Sequence, residues 1–356
     1  MSPIRPFSIA VFSLILFVTG CAETPRVFRL VNSSQEKPKV WPASPERPRY
    51  GYVGELTGEN NFLHENLEAR STAVKMFEWL VGLTGSNPDP VVLQRPQCGA
   101  VNAEGSVFVT DISRAAVYVF DKPAGQLEIW DMARAGSRFL APIGIALGAQ
   151  GEILVADAEL HSVFRLDRKG NPIGEFGRDV LKRPTGLARD AQRGQVYVAD
   201  THAHDIKVFS DDGKLLKVIG RRGESDAEFN APTHLTFAFD KLYVTDTLNS
   251  RIQILDTHGK MVRKFGQRGL YVGNLVRPKG VAVDIEENIY VIESLYDNLL
   301  VFDSQGRTLL ALGGTGNKAG EFYLPSGVWT DSHNQIYIAD MFNGRVTVLQ
   351  LLGETP

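Results

Sequence analysis

The chain has 356 residues, 43% hydrophobic and 22% charged, with 38 Lys and Arg against 41 Asp and Glu for a net charge of −3. That is a globular balance with ample apolar material for a core. No block of like charge stands out, which argues against a nucleic-acid partner, because such partners leave a basic stripe.

The first element in chain order is an export signal. Arg5 precedes Phe7 to Val18, an apolar run short of the roughly 20 residues that span a bilayer core and typical of a signal-peptide core. The run leads into Val18 to Cys21, "VTGC", which resembles the lipobox of bacterial lipoproteins. The resemblance implies that residues 1–20 are a signal peptide and that Cys21 is lipidated and becomes the mature N-terminus. It also implies that Ala22 directs sorting to the outer membrane. An ordinary secretory signal with an incidental cysteine is the alternative. Each buried methylene of a lipid adds about 0.8 kcal/mol, so several acyl chains anchor firmly. The expectation is an exported protein whose membrane partner is reached through this lipid. Cys98 is the other cysteine; with Cys21 acylated it has no intramolecular disulfide partner, and it reads as a small buried hydrophobe.

Residues 21–48 form the lipidated N-terminus and a tether. Pro38, Pro42, Pro45 and Pro48 predict an extended, stiff spacer holding the domain off the membrane. Trp41 either stays with that spacer or tucks against the domain's flank.

From residue 49 to 356 one unit recurs. Asp111, Asp157, Asp200, Asp246, Glu293 and Asp340 each end a "VAD"-like run, and Pro96, Pro142, Pro184, Pro232, Pro278 and Pro325 precede them in the same register. Within a unit the period is two. Residues 232–266 predict strands at His234–Phe239, Lys241–Asp246, Ser250–Asp256 and Lys260–Gly266, with turn signals such as "DTHG" between the last two. Four antiparallel strands at a period of about 45 residues are the signature of a β-propeller blade. The expected fold is all-β, six four-stranded blades. The sixth unit stops after its third strand, so Tyr50–Leu56 is predicted to pair beside Arg345–Leu351 and close the ring. An insert at 63–95 breaks the register. It predicts a helix near Asn66–Leu83 with Leu67, Val74, Phe77 and Val81 on one face, placed to cap the channel mouth or to brace the flank.

The repeated residues resemble the NHL repeat. Pro325, Gly327 and Val328, then Ile336–Asp340, then Asn343 and Arg345 carry its pattern, as do Tyr243–Asp246 with Asn249 and Arg251. The resemblance covers residues 96 to 351 and implies a six-bladed propeller. It implies no single function, because the family holds scaffolds, sensors, RNA binders and enzymes.

That fold puts the ends of the second strands, the loops after them and the blade-to-blade loops on one face. The acidic ring of Asp111, Asp157, Asp200, Asp246, Glu293 and Asp340 is expected to cap turns by accepting backbone N–H bonds. Where units four and six read "DTLNSR" and "DMFNGR", the third reads "DTHAHD". His202 and His204, with His234 at a position that is Gly in four other units, form a candidate Zn²⁺ or Cu²⁺ site at the channel mouth. The alternative is a polar channel entrance with exposed loop histidines. Gly313–Gly320 lacks the ending of a phosphate loop, and no haem-attachment motif, nucleophile elbow or gluconolactonase-type metal motif occurs. Lys182–Arg183, Arg221–Arg222 and Arg277 with Lys279 make a basic rim fit for an acidic partner. The leading expectation is a monomeric binding or scaffold module that needs no cofactor and holds a protein, peptide or glycan on its loop face. A metal-dependent lyase or hydrolase at the channel mouth is the alternative.

Overall fold

A computed structural model describes residues 26–32, 39–64 and 89–353. The signal peptide, Cys21 and the predicted helix at 66–83 lie outside them.

Each of the first five repeats folds as a four-stranded antiparallel sheet whose strands follow chain order. In the fourth blade these are Pro232–Ala238, Lys241–Asp246, Arg251–Asp256 and Met261–Phe265, within two residues of the expected bounds. Hairpin chemistry sets the turns. Asp256 accepts backbone N–H bonds from His258 and Lys260 through Oδ1, and Gly259 takes φ 90°, which only glycine adopts cheaply.

Second and third strands are buried on both faces, and their alternation splits each strand between two cores. Val107 and Val109 pack against the sixth blade, whereas Phe108 packs against the second. Six apolar clusters result, each shared by two neighbouring blades. A blade therefore buries its surface only against its neighbours, and the circle is the folding unit.

The circle closes as expected. Tyr50–Leu56 pairs antiparallel with Arg345–Leu351, from Val346 opposite Leu56 to Leu351 opposite Tyr50. Of the two courses open to Trp41, the structure takes the one against the domain's flank. Val40–Trp41 adds a fifth strand outside Tyr50–Leu56, and Trp41 packs against the core shared by blades five and six. Lys39 Nζ donates to Ala319 O at 2.7 Å. Arg26–Phe28 pairs with Phe62–His64. Residues 26–28 and 40–41 are thus strands docked on the domain, because the open edge of the closing strand and a slot for Trp41 give them partners. The insert's described C-terminal end is also docked: Val92 bridges Gly58, and Leu93 is buried between blades six and one.

Candidate functional site: the loop face

The second-strand acids build this face. Asp111 accepts from Gln94 N and Arg95 N with Oδ2 (2.6 and 2.8 Å) and from Ser113 N and Arg114 N with Oδ1. Asp157 repeats all four bonds. Asp200 takes Lys182 N, Arg183 N and Ala203 N, and Glu293 takes Val276 N, Arg277 N and Leu295 N. Each buried carboxylate therefore staples the blade-to-blade loop to the loop after the second strand. Main-chain bonds reinforce the staple, for example Ile112 N to Arg95 O and Phe342 N to Tyr323 O.

In blades four and six the staple gains an arginine. Asp246 and Asp340 each accept one loop N–H, from Asn230 and Tyr323, and then Nε of Arg251 and Arg345 at 2.8 Å. Each guanidinium also donates to three carbonyls of the preceding loop: Glu224, Ser225 and Glu228 for Arg251, and Asn317, Lys318 and Glu321 for Arg345. Burial raises the Asp340 carboxyl, opposed by the Tyr323 N–H, Asn343 and Arg345.

"DTHAHD" finds its explanation here. The fourth residue after each acid is left-handed in all six blades: Ala115, His161, His204, Ser250, Asp297 and Gly344. In four of them its side chain stitches to the next blade. His161 Nδ1 donates to Lys182 O at 2.6 Å, His204 Nδ1 accepts from Ala231 N at 3.0 Å, Ser250 Oγ donates to Val276 O, and Asp297 accepts from Leu324 N. Asp205 stands where Arg251 and Arg345 stand, and Lys207 supplies the counter-charge by bonding both Asp200 and Asp205.

The three histidines do not converge. His202 is exposed, and His204 is committed to Ala231. His234 is buried at the junction of blades four and five. A Cβ on Gly186, its counterpart in blade three, would lie 2.7 Å from Thr233 O of the next inner strand, so this position faces a neighbour. Its Nδ1 lies 3.1 Å from Thr233 Oγ1, its Nε2 has no partner among the described residues, and burial with nearby Lys279 pushes its pKa down to about 3. Among the described residues no group of three His, Cys, Asp or Glu is placed to hold a metal ion. Cys98 occupies the corresponding position in blade one; it is partly buried, and burial pushes its thiol up to about 11.

The basic rim is divided. Arg183 pairs with Glu159 at 2.7 Å and Arg221 with Glu228 at 2.8 Å, whereas Arg277 is exposed with no ion pair among the described residues. Burial and Arg277 lower the Lys279 pKa.

Sequence reasoning passed over the apolar residues of this face. Leu248, Leu295, Tyr296, Tyr323 and Phe342 are exposed on loops of blades four to six, and Leu270, Tyr271 and Val272 are 85%, 85% and 76% exposed. The Tyr323 and Phe342 rings lie 5.5 Å apart, with the Arg95 guanidinium over Phe342 at 5.0 Å. Aligning "GQRGLYVGNL" with "GRRGESDAEF" and "GGTGNKAGEF" would have exposed the anomaly at 270–272.

Fold and face together define a six-bladed β-propeller of short repeats. A family model described as a 6-bladed beta-propeller matches residues 274–354, and the NHL repeat matches residues 181–209. The human NHL-repeat-containing protein 4 is 35% identical over 88 residues, which are 25% of this chain and 67% of that protein. The protein belongs to the NHL-repeat family. Protein brain tumor of Drosophila melanogaster is 32% identical over 128 residues, 35% of this chain but 12% of its own length; the match to mouse NHL-repeat-containing protein 4 spans 57% of that protein. Among solved structures, a gluconolactonase from Xanthomonas campestris superposes with a TM-score of 0.58 at 16% identity, covering 92% of this chain and all of that one. An auxiliary nutrient binding protein from Bacteroides thetaiotaomicron gives 0.58 at 11% identity over 72% and 69%. These likenesses show the fold.

Proposed function

We propose that the protein is an exported, lipid-anchored binding module that holds a partner protein on its loop face, over blades four to six. The observation that carries this reading is the concentration of exposed Leu, Val, Tyr and Phe side chains on those loops. Contiguous exposed apolar surface marks an interaction site, and Tyr beside Arg is the composition of binding hot spots. No step of this reading needs a catalytic group.

The docked N-terminal strands give the anchor a place on the ring. The Arg26 backbone lies against Gly125, and Lys122 Nζ sits 5.1 Å from the Phe28 ring. Both contacts are with the turn between the third and outer strands of blade one, while Arg26–Phe28 itself pairs with Phe62–His64 in the connection from blade six to blade one. Cys21 precedes Arg26 by a reach of at most about 17 Å. A lipid on Cys21 would hold the edge between blades six and one near the bilayer.

Fractionating cells that express the wild type and Cys21→Ser tests the anchor. Wild type is expected in the membrane fraction and the variant in the soluble one. A membrane-bound variant would remove the lipid from the proposal.

A further inference from the structure

Three blade-to-blade loops share one backbone plan. Gly220–Phe229, Gly266–Leu275 and Gly313–Phe322 have equal length, and each closes at its base by the same bond: Phe229 N to Arg221 O, Leu275 N to Gln267 O, Phe322 N to Gly314 O, at 2.9, 3.0 and 2.9 Å. In each the final side chain is fully buried. The second bond also recurs, as Glu228 N to Ser225 O, Asn274 N to Tyr271 O and Glu321 N to Lys318 O.

The middle loop differs in three ways. Its sisters are pinned by Arg251 and Arg345, whereas Asn298 occupies that place, opposite Glu293 as the arginines are opposite Asp246 and Asp340. Its tip reads Leu270, Tyr271 and Val272, where the sisters have Glu224, Ser225 and Asp226 or Asn317, Lys318 and Ala319. Residues 266–277 also carry Arg268 and Arg277 with no acid, while the sister loops contain Glu224, Asp226 and Glu228, or Glu321. Neither Arg268 nor Arg277 has an ion pair among the described residues, and both are exposed.

We infer that Gly269–Gly273 is a recognition finger, taken up by a protein partner in an apolar pocket rimmed by carboxylates. The base bonds hold the turn in shape before binding, so little ordering is required on contact. The tip is convex, so its complement is a pocket rather than a flat strip. The two unpaired arginines call for negative charge beside that pocket. A bilayer offers the same chemistry but is fluid and presents no pocket to match a turn held in one shape, so a protein is the occupant the geometry favours.

This inference rests on the loop face being the binding face, and the experiment separates the two. The full chain is expressed in its native cell with a photoreactive phenylalanine derivative in place of Tyr271, of Leu140 on the same face, or of Phe239 on the opposite face. Irradiation at position 271 is expected to give one discrete protein adduct. The protein in that adduct, purified, should bind the wild type and bind the triple variant Leu270→Ser, Tyr271→Ser, Val272→Ser at least ten-fold more weakly. Arg268→Glu should weaken binding several-fold, with Arg268→Lys restoring it.

Adducts at 140 but not at 271, or a partner whose affinity ignores the finger variants, would overturn the finger and leave the loop face standing. Adducts only at 239 would overturn both. Absence of an adduct at 271 would also sink the finger. So would wild-type binding to phosphatidylglycerol vesicles that the triple variant loses, with no protein adduct; that result would make the occupant a membrane.

Discussion

Arg345 shows how much a single side chain organises here. It is almost fully buried, bonds Asp340 and Glu55 at 2.8 and 2.7 Å, and ties down three loop carbonyls. Arg345→Met would take a buried cation away from Asp340 and Glu55, and a loss of about 3–5 kcal/mol is expected in urea unfolding. Arg307→Ala, which breaks an exposed pair with Asp303, should cost under about 1 kcal/mol in the same measurement. His234 makes a pH prediction. Its folded pKa, about 3, lies below its ordinary 6.5, because burial and Lys279 disfavour the imidazolium. The unfolded chain therefore binds the proton first, and stability is lost as pH falls from about 6.5 toward 3. At pH 5 the loss is about 2 kcal/mol. His234→Asn should shed that part of the difference between unfolding free energies at pH 7 and pH 5; an unchanged difference would mean that the imidazole stays hydrated. The repeated acid could be seen in the sequence because every unit carries it. Its second set of bonds, backward to the loop before the proline, could not, since those residues lie about 17 positions away and donate through the backbone, which no side-chain pattern marks.

At the scale of elements, the inner strands make the ring tight. Glycine stands two residues after the repeat proline in blades two, three, five and six, where the next inner strand approaches closely. Gly186→Ala would press its Cβ to 2.7 Å from Thr233 O, and destabilisation of about 1–3 kcal/mol is expected in thermal or urea unfolding. Blades one and four carry Cys98 and His234 there instead. In both, a second-strand threonine crosses to the next inner strand: Thr110 Oγ1 donates to Ile143 O at 2.7 Å and Thr245 Oγ1 to Lys279 O at 2.6 Å. The bulkier junctions are therefore bridged by hydroxyls. The strands themselves were legible from alternation and turn residues. The docking of Val40–Trp41 was not, because a proline-rich stretch looks the same whether it spans solvent or lies on a sheet edge.

For the whole molecule, closure is the decisive event. Removing residues up to Leu56 would bare the edge of Arg345–Leu351 and take Tyr50, Tyr52 and Trp41 from the core between blades five and six. That truncated chain should elute as oligomers or aggregate, with its cooperative thermal transition lost. A monomer with a sharp transition would refute the N-terminal lock. The sequence by itself determined the number of blades, their register and the closing strand, because repeats, alternation and turn chemistry act over a few residues and are written six times. Only the tertiary structure decided that His234 is a wedge between blades, that His204 is a stitch, and that Leu270, Tyr271 and Val272 stand clear of the fold. Each of those outcomes depends on what the neighbouring blade presents some 45 residues away, and a side chain's own identity does not reveal that.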